Sequence, residues 1–151
     1  MKKFFIVILA SVISISAFAQ KGEFRGGANL YYSSEVETLG LGIKAQYYIT
    51  DEIRPEVSLN YFFEKNDHSI CEFNANFHYL FDFDAISVYP LGGLNYSSIS
   101  SSDNKLGLNL GGGVEYPLND KVTLGAELKY TLNSIYKNTQ LILGVGITYR
   151  F

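Results

Sequence analysis

The chain has 151 residues, enough for one domain, and a formal net charge of −3. A mildly acidic chain lacks the basic surface that nucleic acid binding requires, so we expect no nucleic-acid partner. One cysteine and two histidines exclude an internal disulfide and a Cys/His zinc site of ordinary spacing. The composition therefore predicts no cofactor and no metal centre.

The N-terminus has the pattern of a removable export signal. Lys2 and Lys3 form a basic start, residues 4–15 form an apolar segment, and small residues precede a cleavage point between Ala19 and Gln20. The alternative is a membrane anchor. As a helix, the apolar segment rises only ~18 Å, against a hydrocarbon core of ~30 Å, so a cleaved signal is favoured.

We therefore assign residues 1–19 to a signal peptide for the general secretory route and residues 20–151 to one mature domain. No stretch of the mature domain has enough consecutive apolar residues for a membrane helix. Any membrane role must be carried by strands, because only helices and closed barrels satisfy their backbone in lipid.

Apolar residues recur with a period of two through nearly the whole mature domain, which predicts strands. The clearest strand is the fourth, in which Phe73, Ala75 and Phe77 alternate with Asn74 and Asn76. In chain order, the predicted strands are residues 23–32, 39–49, 56–63, 70–81, 85–96, 106–116, 122–132 and 140–151.

The segments between the strands are polar and short. Pro90 and the pair Gly92–Gly93 fall inside the fifth strand and predict a bulge or bend there. The connections alternate between slightly longer and slightly shorter, as in membrane barrels, whose external loops exceed their periplasmic turns. The longer set is residues 33–38, 64–69, 97–105 and 133–139, and the shorter set is residues 50–55, 82–84 and 117–121.

Aromatic residues favour a membrane barrel over a soluble β-sandwich, which shares the alternation. They end the apolar face of nearly every strand, and antiparallel strands would place them in two rings at the two membrane interfaces. One predicted girdle is Tyr32, Tyr61, Phe63, Tyr96 and Tyr130, and the other is Tyr47, Tyr79, Phe81, Tyr116, Tyr149 and Phe151.

The opposite strand faces carry the charged residues, which predicts a lumen network. Opposite charges at matching heights would pair, because an unpaired buried ion is costly, and inward glycines leave room for long side chains. The predicted members are Arg25, Glu56, His78, Glu115 and Arg150 near the periplasmic end, Lys44 and Glu127 nearer the middle, and Glu72 and Lys129 towards the outside.

The sequence resembles the small OmpA/OmpX-type outer-membrane barrel family. The resemblance is carried by the signal, by residues 89–96 and 108–117, and by the final strand ending in Phe151. It implies an all-β fold, an eight-stranded antiparallel up-and-down transmembrane barrel, in the outer membrane of a Gram-negative bacterium. It also implies contact with lipid and lipopolysaccharide, and recognition of Phe151 by the barrel-assembly machinery during insertion.

Catalysis receives little support from the sequence. His68 and Ser69 are adjacent and would point to opposite faces of a strand, and His78 faces inward. We therefore predict no enzyme. Three functions stay open: a structural or surface-exposed barrel with a plugged lumen, a narrow channel, and a secreted lipocalin-like barrel with an apolar interior. The sequence indicates no particular partner for the external loops.

Overall fold

The computed structural model describes residues 22–34, 37–65, 68–99, 104–133 and 139–151. Within these ranges, no helix is long and apolar enough to cross a membrane. The predicted signal peptide and its cleavage point between Ala19 and Gln20 lie outside the described residues, as do parts of several connections.

The described residues form nine strand segments. Leu80 alone separates β4 from β5, and both pair with β6 in one continuous register, so the two segments form a single interrupted strand. The segments are β1 Phe24–Ser33, β2 Thr38–Tyr47, β3 Ile53–Lys65, β4 His68–Tyr79, β5 Phe81–Phe83, β6 Ile86–Ile99, β7 Lys105–Pro117, β8 Val122–Asn133 and β9 Thr139–Arg150.

All neighbouring strands pair antiparallel, and the sheet closes on itself. The first and last strands pair along their length, with Ala28 opposite Ile147, and every other pair is formed by consecutive strands of the chain. Closure leaves no sheet edge with unpaired backbone groups, which is the condition for a β-structure in lipid. The prediction of an eight-stranded antiparallel barrel is confirmed.

Two details of the strand boundaries differ from the prediction. β3 begins at Ile53 rather than residue 56, because the outward alternation continues through Pro55. The strands also extend into the predicted longer connections, so that only residues 66–67 separate β3 from β4. The other upper connections lie largely outside the described residues, so the expected difference in length between the two ends stays a prediction.

Pro90 lies within β6, and the break between β4 and β5 lies beside it on the neighbouring strand. The ladder between β4 and β6 stops at His78 opposite Leu91 and resumes at Phe81 opposite Val88. Pro90 has no N–H to contribute to this gap. The residue opposite Pro90 is Tyr79, whereas the backbone N–H of Leu80 bonds to the carbonyl of Glu52 at 2.8 Å and continues the pairing with β3.

The barrel is apolar outside and polar inside. Leu41 is 53% exposed and Phe77 is 61% exposed on the outer wall, whereas Asn74 and Asn109 are fully buried in the lumen. A lipocalin-like carrier needs the reverse arrangement, so that hypothesis is wrong. The lower end of the barrel, as we define it, holds the connections 48–52, 84–85 and 118–121, and the upper end is opposite.

Candidate functional site

The lumen is crossed near its lower end by one fully buried arginine. Arg54, on β3, donates two hydrogen bonds to Glu115 on β7, from Nη1 to Oε2 at 2.9 Å and from Nη2 to Oε1 at 2.7 Å. Nη1 also donates to the Tyr48 hydroxyl at 2.8 Å. Burial raises the pKa of Tyr48, so this phenol stays protonated. The paired guanidinium and carboxylate join two strands that are not neighbours in the sheet.

His78 extends the network from Arg54 to the neighbouring strand β4, where it lies directly opposite Arg54. Its Nδ1 accepts from Arg54 Nη2 at 2.8 Å, and its ring stacks on Tyr89 at a centroid distance of 4.4 Å. A guanidinium has donors only, so Nδ1 must be the acceptor. The other ring nitrogen, Nε2, lies 3.7 Å from Glu56 Oε1.

Two glutamates occupy the middle of the lumen. Glu56 Oε2 accepts from Gln46 Nε2 at 2.6 Å and lies 3.8 Å from Lys44 Nζ. Glu127, on β8, accepts a hydrogen bond from the Tyr89 hydroxyl at 2.9 Å. Glu56 is therefore held by a neutral donor and a nearby cation, and Glu127 by a neutral donor.

Asparagines fill the lumen above these glutamates. Asn109 Nδ2 donates to the side-chain oxygens of Asn74 and Asn76, at 2.9 Å each, and its own oxygen accepts from Thr131 at 2.9 Å. Asn95 Nδ2 donates to the same Asn74 oxygen at 2.8 Å. These bonds connect β4, β6, β7 and β8 through side chains alone.

Lys129 and Glu72 belong to this upper region, where the sequence placed them. Lys129 Nζ is 3.4 Å from the Asn74 oxygen and lies over the Tyr31 ring at 5.9 Å. Both Lys129 and Glu72 are 1% exposed. Beside them, the buried side chains of Tyr31, Phe62 and Ile142 pack together, with Ile142 directly opposite Lys129 on β9.

The two buried tyrosines lie against glycines. A Cβ at Gly144 would lie 2.6 Å from Tyr31 Cε1, and a Cβ at Gly42 would lie 2.7 Å from Tyr31 Cε2. The Tyr89 ring fits against Gly113 in the same way. The glycines on the inward faces therefore create the space for these rings.

Two of the predicted lumen charges lie at the rim instead. The Arg150 side chain is 51% exposed, and its Nε is 3.6 Å from Glu23 Oε2. Arg25 contacts the other oxygen of Glu23 and donates to Thr123 at 3.2 Å. Both arginines belong to the last pair of residues at the lower end, Arg25 opposite Arg150, where the lumen opens to solvent.

A polar cavity of about 280 Å³ opens at this lower end. Glu115 also lines it, so the cavity reaches from the rim to the Arg54–Glu115 pair. The remaining lining residues are Glu23, Arg25, Tyr48, Asp51, Leu80, Asp82, Ser87, Pro117 and Thr123.

Sequence reasoning missed the central residue of the network. The sequence pattern places Arg54 in the connection 50–55, because Pro55 is typical of a turn, although Arg54 stands two residues before Glu56 and so shares its face. The alternation places Asn74 and Asn76 on the polar face of their strand, but nothing in the sequence says which asparagines meet. Those contacts depend on the register and on the cross-lumen geometry.

The aromatic residues of the predicted girdles lie on the outer wall. Tyr61 and Phe63 are in contact near the upper end, while the pairs Tyr79–Phe81 and Tyr149–Phe151 are in contact near the lower end. Tyr47 differs from the other members, because its side chain is half-buried and theirs are exposed. The other members that the structure leaves exposed are Tyr32, Tyr96, Tyr116 and Tyr130.

Comparison with solved structures identifies this barrel as a known fold. The N-terminal β-barrel domain of Pseudomonas aeruginosa OprF is 17% identical, with a TM-score of 0.74 over 85% of this chain and 97% of that one. Neisserial surface protein A is 20% identical, with a TM-score of 0.67 over 86% and 97%. Ail of Yersinia pestis is 16% identical, with a TM-score of 0.62 over 86% and 97%.

No curated protein matches the sequence closely enough to count as a relative. The solved structures, at these identities, show a shared fold. The family evidence comes from the model described as "outer membrane protein beta-barrel domain", which matches residues 5–151. The chain therefore belongs to the outer membrane protein β-barrel domain family, and its location is the outer membrane of a Gram-negative bacterium.

Proposed function

We propose that this protein is a closed, non-conducting barrel with a structural or surface-exposed role in the outer membrane. The observation that carries the proposal is the Arg54–Glu115 pair, which spans the lumen between β3 and β7 with both side chains buried. Opening a path there would separate two desolvated charges, at a cost of several kcal/mol.

The layer of asparagines formed by Asn74, Asn95 and Asn109 also supports a closed barrel. Asn74, Asn95 and Asn109 are fully buried and bonded to one another, so water is replaced by side-chain amides at this height. An eight-stranded barrel has an interior just wide enough for side chains to fill. His78, at 1% exposure, is likewise out of reach of a substrate, which favours a structural role over catalysis.

The surroundings of the barrel follow from its outer wall. We propose that the exposed aromatics form two girdles at the two membrane interfaces. Lipid and lipopolysaccharide would cover the apolar band of the outer wall that lies between these girdles. Phe151 directly follows the last strand and lies beside Phe24, with ring centroids 5.7 Å apart, and it is the proposed signal for the barrel-assembly machinery. Residues 1–19 would be removed during export.

A surface role would be carried by the connections at the upper end. Among proteins of the same fold, the Yersinia pestis attachment invasion locus protein Ail has been solved with the heparin analogue sucrose octasulfate. That precedent favours contacts with molecules outside the cell, although no specific partner is assigned to this chain.

The second candidate is a narrow channel for ions or small solutes. The lower cavity favours it, because about 280 Å³ of polar space already leads from the rim to Glu115. The two candidates differ in whether ions pass the pair and the asparagine layer above it.

Single-channel recording separates the two candidates. We expect purified barrel, refolded and inserted in planar bilayers, to show no unitary current. The Arg150→Gln variant, altered only at the rim, should behave identically. Reproducible current steps that scale with salt concentration and change in Lys129→Gln would overturn the proposal and establish the channel.

A further inference from the structure

Three buried side chains from three strands converge in the middle of the lumen. Glu56 lies on β3, His78 on β4 and Glu127 on β8, and one nitrogen or oxygen atom from each lies within 4.8 Å of the others. None of the three residues is more than 6% exposed. The spacing of these residues in the sequence does not predict the cluster, because its members come together only when the barrel closes.

One atom of the cluster lacks a hydrogen-bond partner. His78 Nε2 is buried, and within the described part of the chain it makes no hydrogen bond. It points towards Glu56, with 3.7 Å between Nε2 and Oε1. A buried polar atom without a partner is costly, and such an atom facing carboxylates indicates a ligand between them.

The charges of the lumen point the same way. Among the buried side chains that the structure describes, four glutamates face three cations, namely Glu56, Glu72, Glu115 and Glu127 against Lys44, Arg54 and Lys129. Arg54 is committed to Glu115. Within the described ranges, no cation lies at ion-pair distance from Glu72 or Glu127, and Glu127 is the one of these two carboxylates that lies beside His78.

We propose that Glu56, His78 and Glu127 form a binding site for a divalent transition-metal ion such as Zn²⁺. Imidazole nitrogen and carboxylate oxygen are both zinc ligands. Ligand atoms around a tetrahedral zinc ion lie roughly 3.4 Å apart. The His78–Glu56 distance of 3.7 Å is close to this value, and the carboxylates need side-chain adjustments of the order of 1 Å.

Arg54 determines which ring nitrogen of His78 carries the proton before a metal ion binds. It donates to His78 Nδ1, so the imidazole proton of the metal-free protein lies on Nε2. A metal ion at Nε2 moves that proton to Nδ1, which breaks the Arg54–His78 hydrogen bond and leaves both Arg54–Glu115 bonds in place. The lower cavity reaches Glu115, so a metal ion that enters from the rim must pass the Arg54–Glu115 pair to reach the site. The site does not depend on whether the barrel conducts.

The test is titration of the full mature barrel, refolded in detergent without a histidine tag, with ZnCl₂ by calorimetry and with CoCl₂ by visible absorption. We expect one metal ion per barrel. His78→Gln and Glu127→Gln should each weaken binding at least tenfold. The matched controls are Glu72→Gln, a buried lumen glutamate outside the cluster, and His68→Gln, the other histidine of the chain; both should bind like the wild type.

Folding of every variant is checked by its heat-modifiable migration on gels. The proposal is overturned if the folded wild-type barrel binds neither ion at 100-fold molar excess, or if His78→Gln and Glu127→Gln bind as tightly as the wild type. Should a cluster variant fail to fold, the wild type still decides. Zn²⁺ must raise its unfolding temperature reversibly, EDTA must cancel the rise, and an unchanged temperature counts against the site.

Discussion

At the residue scale, the Arg54–Glu115 pair should dominate the stability of the lumen. Glu115→Gln leaves a guanidinium buried without its counter-charge, and breaking a buried pair in this way costs about 3 kcal/mol or more. We expect the free energy of unfolding, measured by urea titration in lipid vesicles and read from heat-modifiable migration, to fall by that amount.

The matched control is Arg150→Gln. This arginine contacts Glu23 at the rim and is half-exposed, so its loss should cost less than about 1 kcal/mol. Equal effects of the two substitutions would show that the buried pair contributes no more than a surface pair.

A second residue-scale prediction concerns the glycines that make room for Tyr31. Gly144→Ala places a Cβ 2.6 Å from the Tyr31 ring, and overpacking of this kind costs about 1–3 kcal/mol. Gly125→Ala is the control, because a Cβ there meets nothing closer than 3.7 Å. Urea titration should therefore show a loss for Gly144→Ala and almost none for Gly125→Ala.

The loss in Gly144→Ala should also depend on the tyrosine ring. In a Tyr31→Leu background, the added methyl group no longer faces the ring atoms that crowd it. We expect most of the cost of Gly144→Ala to vanish there. A cost that stays the same in both backgrounds would place its origin in the backbone instead.

At the scale of the strand, the outer wall should tolerate charge according to depth. Leu128 lies near the middle of β8 on the outer face, whereas Leu118 follows the end of β7 at the lower rim. A lysine at the bilayer centre costs about 2–4 kcal/mol, and one at the interface about 0–1 kcal/mol. Leu128→Lys should therefore destabilise the barrel in vesicles far more than Leu118→Lys.

The same two leucines also test how deep the lower rim lies in the bilayer. If Leu118→Lys were as costly as Leu128→Lys, the lower rim would lie within the hydrocarbon rather than at its edge. The measurement is again the free energy of unfolding in vesicles, with the two variants compared in one lipid composition.

The elements were predictable from the sequence because alternation is a local property. Phe73, Ala75 and Phe77 against Asn74 and Asn76 define a strand and its two faces without knowledge of its neighbours. The alternation places the start of β3 too late, because Pro55 is typical of a turn; the barrel strands accommodate proline both here and at Pro90.

The network was predictable only in part, because its contacts are not local. That Glu56, His78 and Glu127 face inward follows from their position in the alternation. That they meet one another, while Arg25 and Arg150 stay at the rim, depends on the stagger between strands. A pattern with a period of two carries no information about that stagger.

At the scale of the whole molecule, the barrel reverses the arrangement of a soluble protein. Apolar side chains such as Leu108 and Val145 face outward, and the interior is held by hydrogen bonds and ion pairs. In lipid, apolar side chains gain no free energy by moving from the outer wall to the interior. The fold therefore depends on closure of the backbone hydrogen bonds and on hydrogen-bond partners for the polar groups of the lumen. The account therefore rests on the lumen being filled.

Cysteine accessibility tests that claim most directly. Ser58 lies in the lumen, is buried and accepts a cysteine with little change in size; the native Cys71 on the outer wall is first replaced by serine. In lipid vesicles, we expect Ser58→Cys to resist a charged, water-soluble thiol reagent and to react fully after unfolding in urea. Rapid modification of the folded barrel would reveal a water-filled lumen and contradict the account.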